Sequence, residues 1–271
     1  EPRRNMITLA AEEINASGGI NASPVELIFE DSKCNGKDAV SAAQKLINVD
    51  GVKAILGGFC SSESLAVIPV AEAAKVIMLS DGSSSPDLTG KSRFFFRNYP
   101  SDATQGRVLA ETAYNQKNWR NVVMIQEQTD YSLGIYKSFS ENFEKLGGKK
   151  VVKEEFASSV TDFRSSLSKL RALKPDALLI STQTPAAAER ILKQLADLKW
   201  KPSLVVNYAL AGDPATVERN KIILEGALAA EFGIDPNNLK FQHAIRAYKD
   251  TYGSEPPFQS YAQTEYDAVF I

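Results

Sequence analysis

Apolar residues along the chain follow two rhythms, one spaced by three and four, the other running unbroken for four or five positions. Met6, Ile7, Ala10, Ala11 and Ile14 mark one face of a helix over residues 3–17, and Gly18-Gly19 follow where such a helix would stop. Val25 to Phe29 predicts a strand. Ala39, Val40, Ala43, Leu46 and Ile47 predict a helix over 37–48, followed by a strand over 52–56, a helix over 64–75 and a strand over 76–79. The second half repeats the plan with strands at 122–125, 151–156, 177–180 and 204–206 and helices at 132–146, 163–173 and 186–198. Apolar strands that alternate with helices predict an α/β fold of parallel sheets covered on both faces. Such sheets bind ligands beyond the carboxyl ends of their strands.

Composition narrows the function classes. The 271 residues carry 31 Lys+Arg and 33 Asp+Glu, a formal net charge of −2, which removes the electrostatic case for a nucleic-acid or polybasic membrane binder. Hydrophobic residues at 44% and charged residues at 24% can form a real core, and the length favours two lobes over one. No run approaches the ~20 apolar residues of a membrane-spanning helix. Residues 66–79 come nearest, and Glu72 and Lys75 interrupt them. The chain opens on Glu1-Pro2-Arg3-Arg4 without a secretory signal pattern, so any such segment would lie upstream.

Candidate chemistry gathers in the turns that follow strands. Phe59-Cys60-Ser61-Ser62-Glu63-Ser64 joins a strand to a helix, where unpaired N–H groups, hydroxyls and the helix dipole suit an anion. Ser80-Asp81-Gly82-Ser83-Ser84-Ser85-Pro86 follows the next strand, and Gly82 is read as a place for close approach to the backbone. Ser181-Thr182-Gln183-Thr184-Pro185 echoes the first turn in the second half; helix capping accounts for either turn equally well. Cys34 and Cys60 lack a further sulfur or histidine at zinc-ligand spacing, so no metal is expected; on the residues alone, separate thiols and a disulfide both stay open. The single histidine, His243, sits in an amphipathic stretch and is read as an exposed or packing residue. Nucleophile-elbow, phosphate-loop and dinucleotide fingerprints are absent, so no cofactor is expected and a binding module is favoured over an enzyme.

Four motifs carry a resemblance that spans essentially the whole chain: Glu30-Asp31-Ser32-Lys33-Cys34, Gly57-Gly58-Phe59-Cys60-Ser61-Ser62, Ser80 to Thr89, and Gln126 to Gly134. In this order they resemble the type I periplasmic binding proteins of the leucine/isoleucine/valine-binding group, the receptors of ABC importers. The resemblance implies two Rossmann-like lobes with parallel sheets, joined by hinge strands and closing on a ligand in the cleft. Lobe one would span residues 1–118 plus 231–271 and lobe two 119–230. A Cys34–Cys60 disulfide is implied, with about 3.5 kcal/mol of stabilisation in the chain-entropy model. Export to the periplasm or cell exterior follows, as a free or lipid-anchored monomer that serves a permease.

Carried over by position, Ser61 would hold a ligand carboxylate, Gly82 and Ser83 would offer backbone contacts, Ser84 a hydroxyl, and Tyr131 an aromatic contact from lobe two. One position departs from the pattern. Amino-acid-binding relatives place a carboxylate after the lobe-two strand, where this chain has Asn207-Tyr208-Ala209, and neighbouring aromatic positions are Gln183 and Thr184. Gln183, Asn207 and Tyr208 are therefore cleft candidates, and the ligand is expected to be a small carboxylate, an amino acid or related organic acid. The ectodomain of a membrane sensor shares this fold and is the alternative. The family's sheet opens with a strand before the first helix, so the 271 residues are expected to be an excerpt of a longer protein.

Overall fold

The computed structural model describes residues 1–271. The chain divides into two compact units, Glu1–Pro100 with Phe232–Ile271, and Ser101–Glu231. The first crossing between units falls at Pro100 rather than near residue 118, because the helix after it packs in the second unit.

In the first unit, α1 (Pro2–Ala16) and α2 (Gly36–Asn48) precede a parallel sheet of β1 (Ala54–Leu56), β2 (Ile77–Ser80) and β3 (Phe95–Arg97), with α3 (Ser61–Ala74) crossing between β1 and β2. Asn35 caps α2 by accepting from Asp38 N at 2.9 Å. Ala39, Ala43, Ile55, Val67, Ile68, Ala71 and Met78 form the core between these helices and the sheet. The strand expected over Val25–Phe29 is not formed. Alternating apolar residues make a strand only when a neighbour completes the ladder, and no strand pairs here; Asn15 instead bonds both backbone groups of Val25, at 2.7 and 2.9 Å. β1 is accordingly an edge strand.

The second unit holds a five-stranded parallel sheet in the order β5-β4-β6-β7-β8, built from β4 (Val122–Glu127), β5 (Val152–Phe156), β6 (Ala177–Ser181), β7 (Ser203–Val206) and β8 (Leu228–Ala229). Every position of β4 and β6 is buried. Alternate residues serve opposite faces: Val122, Met124 and Leu179 face α4 (Asp102–Glu111) and α5 (Asp130–Lys145), while Val123, Ile125, Leu178 and Ile180 face α6 (Arg164–Ala172) and α7 (Pro185–Asp197). Burying a large side chain such as Phe139 or Phe143 contributes about 1.5–3 kcal/mol. Gly106 lets α4 sit against α5, since a Cβ there would lie 2.6 Å from Ser138 Cβ. Ser138 Oγ also donates to Ala103 O at 2.8 Å. These contacts explain why residues 101–118 belong to this unit. Short helices α8 (Tyr208–Ala211), α9 (Pro214–Arg219) and α10 (Lys221–Leu224) follow β7.

The chain then returns to the first unit through α11 (Leu239–Tyr252) and α12 (Gln259–Phe270), whose Ala244, Tyr248, Ala262 and Tyr266 pack on Met6, Leu9 and Ala10 of α1. Tyr266 donates its hydroxyl to Glu13, and His243 meets the other Glu13 oxygen at 2.9 Å. Inside this unit lies a charged cluster. Arg3 donates to both oxygens of the fully buried Asp81, at 2.8 and 2.9 Å, and Thr264 Oγ1 donates to Asp81 O at 2.7 Å. Burial, with the Asp81 charge acting on it, pushes the Glu265 carboxyl up to about 8. No helix is long and apolar enough to cross a membrane.

Cys34 and Cys60 form a disulfide, with Cα atoms 5.4 Å apart, that closes a 26-residue separation. Reduction, or the Cys34→Ser/Cys60→Ser double variant, is expected to cost about 3.5 kcal/mol, roughly 10 °C in Tm. Thermal unfolding with and without reductant measures it, and an unchanged Tm would count against the constraint. Glu265 gives a second expectation. Its folded pKa lies above the ordinary 4.5, so its contribution is fully present below pH 4.5 and is lost as pH rises towards about 8. In urea titrations between pH 5 and 8, Glu265→Gln should remove a downward slope that the parent protein shows; parallel curves would contradict the assignment.

Candidate functional site

In the first unit the loops after β1 and β2 meet at the carboxyl edge of the sheet. Helix α3 begins at Ser61, three residues earlier than its apolar spacing predicts, because Cys60 and Glu63 form a capping box; Glu63 Oε2 accepts from Cys60 N at 2.9 Å. Ser61 therefore occupies the first turn of a helix, where backbone N–H groups have no intrahelical acceptor. It is 2% exposed, and its Oγ accepts from Ser85 N at 3.1 Å, which leaves the hydroxyl proton free to be given elsewhere. Ser84 is also 2% exposed.

Ser83 is fully buried in a hydroxyl network. Gly58 O lies 2.7 Å from Ser80 Oγ, 2.8 Å from Ser83 Oγ and 3.1 Å from Ser64 Oγ, and Ser83 N donates to Ser80 Oγ at 3.0 Å. These bonds join the two loops and give Ser83 a place in the frame. Gly82 is required by an internal neighbour: a Cβ would lie 2.5 Å from the Phe59 ring. Phe59 in turn packs on Tyr261 at 4.9 Å, and Tyr261 stacks on Tyr99 at 4.7 Å. Sequence reasoning did not single out Ser64, Ser80 or Glu63. The glutamate three residues after the cap was the signal available for the last of these.

In the second unit the other candidates also lie where strands end. Thr129 caps α5 by accepting from Ser132 N at 3.2 Å, which places Tyr131 in the first turn, 6% exposed. Thr184 caps α7 in the same manner. Asn207 precedes α8 and is fully buried; its Nδ2 donates to Thr182 O at 2.8 Å and to Ser181 Oγ at 3.3 Å. Tyr208 opens α8, its ring over Gly212. Gln183 donates its backbone N–H to Glu127 Oε2 at 2.8 Å. Sequence reasoning assigned no role to Glu127, an acid at the end of a strand whose every other position is buried.

The two edges differ in kind. The first unit offers a helix start and hydroxyls, suited to an oxyanion, while the second offers amides, hydroxyls and a carboxylate. No group of three His, Cys, Asp or Glu side chains is placed to hold a metal ion.

Comparison with known proteins agrees with this architecture. The chain is 28% identical to an amino acid binding protein of Pseudomonas aeruginosa over 91% of its own length, and spans 66% of that protein. It spans 44% of the leucine-, isoleucine-, valine-, threonine- and alanine-binding protein of the same organism, at 29% identity over 60% of its own length. Among solved structures, a leucine binding protein of Thermotoga maritima superposes with a TM-score of 0.86 at 29% identity, covering 99% of this chain and 75% of the other. A branched-chain amino acid transporter substrate binding protein of Streptococcus pneumoniae, in complex with isoleucine, gives 0.85 at 25% identity, covering 99% and 76%. The family model for periplasmic binding proteins matches residues 1–271, and the chain belongs to that family of binding proteins rather than enzymes.

Proposed function

We propose that this chain is the solute-recognising component of an ABC importer, binding a small carboxylate-bearing solute, an amino acid or related organic acid, outside the cytoplasm. The observation that carries the reading is the start of α3, where a buried Ser61 with a proton to give sits beside first-turn N–H groups and close in sequence to the disulfide. An oxyanion held by hydroxyls and main-chain N–H groups meets directional donors without a buried lysine or arginine. In this reading Ser61 and Ser84 serve the carboxylate, Gly82 and Ser83 shape the loop beside it, and Tyr131, Gln183, Asn207 and Tyr208 contribute from the second unit. The solutes named for the relatives, leucine and isoleucine among them, support the class. The Cys34–Cys60 disulfide supports an oxidising compartment, in keeping with a monomeric periplasmic protein that delivers its solute to a permease.

A thermal-shift panel of amino acids and small organic acids is expected to contain a compound that stabilises the protein; ligand at 100 times its Kd adds ~2.7 kcal/mol. The Ser61→Ala/Ser84→Val variant should lose that shift. Its apo Tm should fall modestly, since the Ser61 bond to Ser85 N–H is worth about 1–2 kcal/mol when both groups are buried. An undiminished ligand shift in the variant would exclude Ser61 and Ser84 from the site.

A further inference from the structure

Glu127 ends β4, flanked by β5 on one side and β6 on the other, so its carboxylate sits in the interior of the sheet's carboxyl edge. It is 4% exposed and takes part in no ion pair. One oxygen accepts the Gln183 N–H at 2.8 Å. A buried carboxylate with one hydrogen bond and no cation is costly, and the bond it makes asks only for a neutral acceptor. A glutamine would hold the Gln183 N–H equally well. The negative charge therefore has no work to do within this unit.

A second unfilled acceptor lies in the same cluster. Asn207 donates Nδ2 to Thr182 O, the carbonyl of the peptide whose N–H belongs to Gln183, so Asn207 and Glu127 hold the two ends of one peptide group. The Asn207 amide is fully buried, yet its Oδ1 has no hydrogen-bond partner. A buried acceptor left open and a buried anion left unpaired both lack the same thing, a donor, and an ammonium group satisfies both demands.

We propose that Glu127 is the counter-charge for a cationic nitrogen on the solute, with Asn207 Oδ1 as an accompanying acceptor, so that the solute is an aminated acid rather than a simple carboxylate. This rests on the reading that the strand-end loops bind a solute. It also answers the departure at Asn207: the acid absent from the end of β7 is supplied from the end of β4.

The test compares the parent protein with Glu127→Gln by calorimetric titration and thermal shift, using L-leucine, L-isoleucine and the keto acid 4-methyl-2-oxopentanoate. The parent should bind an amino acid and prefer it to the keto acid. Glu127→Gln should keep or raise the apo Tm, because an unpaired buried charge has gone, while weakening amino-acid binding by at least about tenfold. A lower apo Tm with unchanged affinity would reduce Glu127 to a loop anchor and overturn the proposal. A parent that binds the keto acid and neither amino acid would overturn it while leaving the carboxylate reading intact, and a parent that binds none of the three would overturn it together with that reading for this solute class. Should Glu127→Gln fail to fold, the parent's preference decides: equal affinity for leucine and its keto acid overturns the proposal.

Discussion

Parallel strand pairing is the constraint from which the rest of each unit follows. A parallel sheet sends every strand end to one edge, and each chain must then turn into a helix without leaving backbone groups unsatisfied. In the first unit the solution is hydroxyl-based: Ser64, Ser80 and Ser83 converge on Gly58 O, and the capping box of Cys60 and Glu63 starts α3. In the second unit it is amide-based, with Asn207 and Glu127 holding the Thr182–Gln183 peptide. The groups that complete the turns are the same groups left at the edge with residual hydrogen-bonding capacity.

That coincidence explains how one fold divides groups that are spent on the frame from groups that keep bonding capacity. Ser83, Ser80 and Ser64 exhaust themselves on one another and on Gly58, so they fix geometry. Ser61 and Glu127 each make one internal bond and keep something over, a proton in one case and an oxygen with its charge in the other. Similar residue types in neighbouring positions thus take different roles according to how much of their bonding capacity the frame consumes.

Local chemistry made much of this legible in the sequence. Helices α1, α2, α5 and α7 and strands β4 to β7 follow from periodicity, and the polar turns stand out because each lies between an apolar strand and a capped helix. What escaped depends on distant partners. Val25 to Phe29 has a strand's sequence and no ladder to join. Gly82 reads as an opening for a ligand until Phe59 is seen above it. Glu127 appears in a quoted motif as one more loop acid, and only the absence of a cation around a buried carboxylate marks it out.

Phe59 and Gly82 also carry a consequence for how this protein can change over generations. The ring fills the space a side chain at position 82 would need, and it forms one end of a stack that continues through Tyr261 to Tyr99 and Phe232. Alanine at 82 would displace the ring and disturb a stack built from four separate stretches of chain, whereas the same alanine beside a smaller residue at 59 would fit. The two positions are bound by epistasis. Position 82 cannot drift while the ring stays, and in any lineage that abandons glycine at 82 the aromatic at 59 should already have been lost.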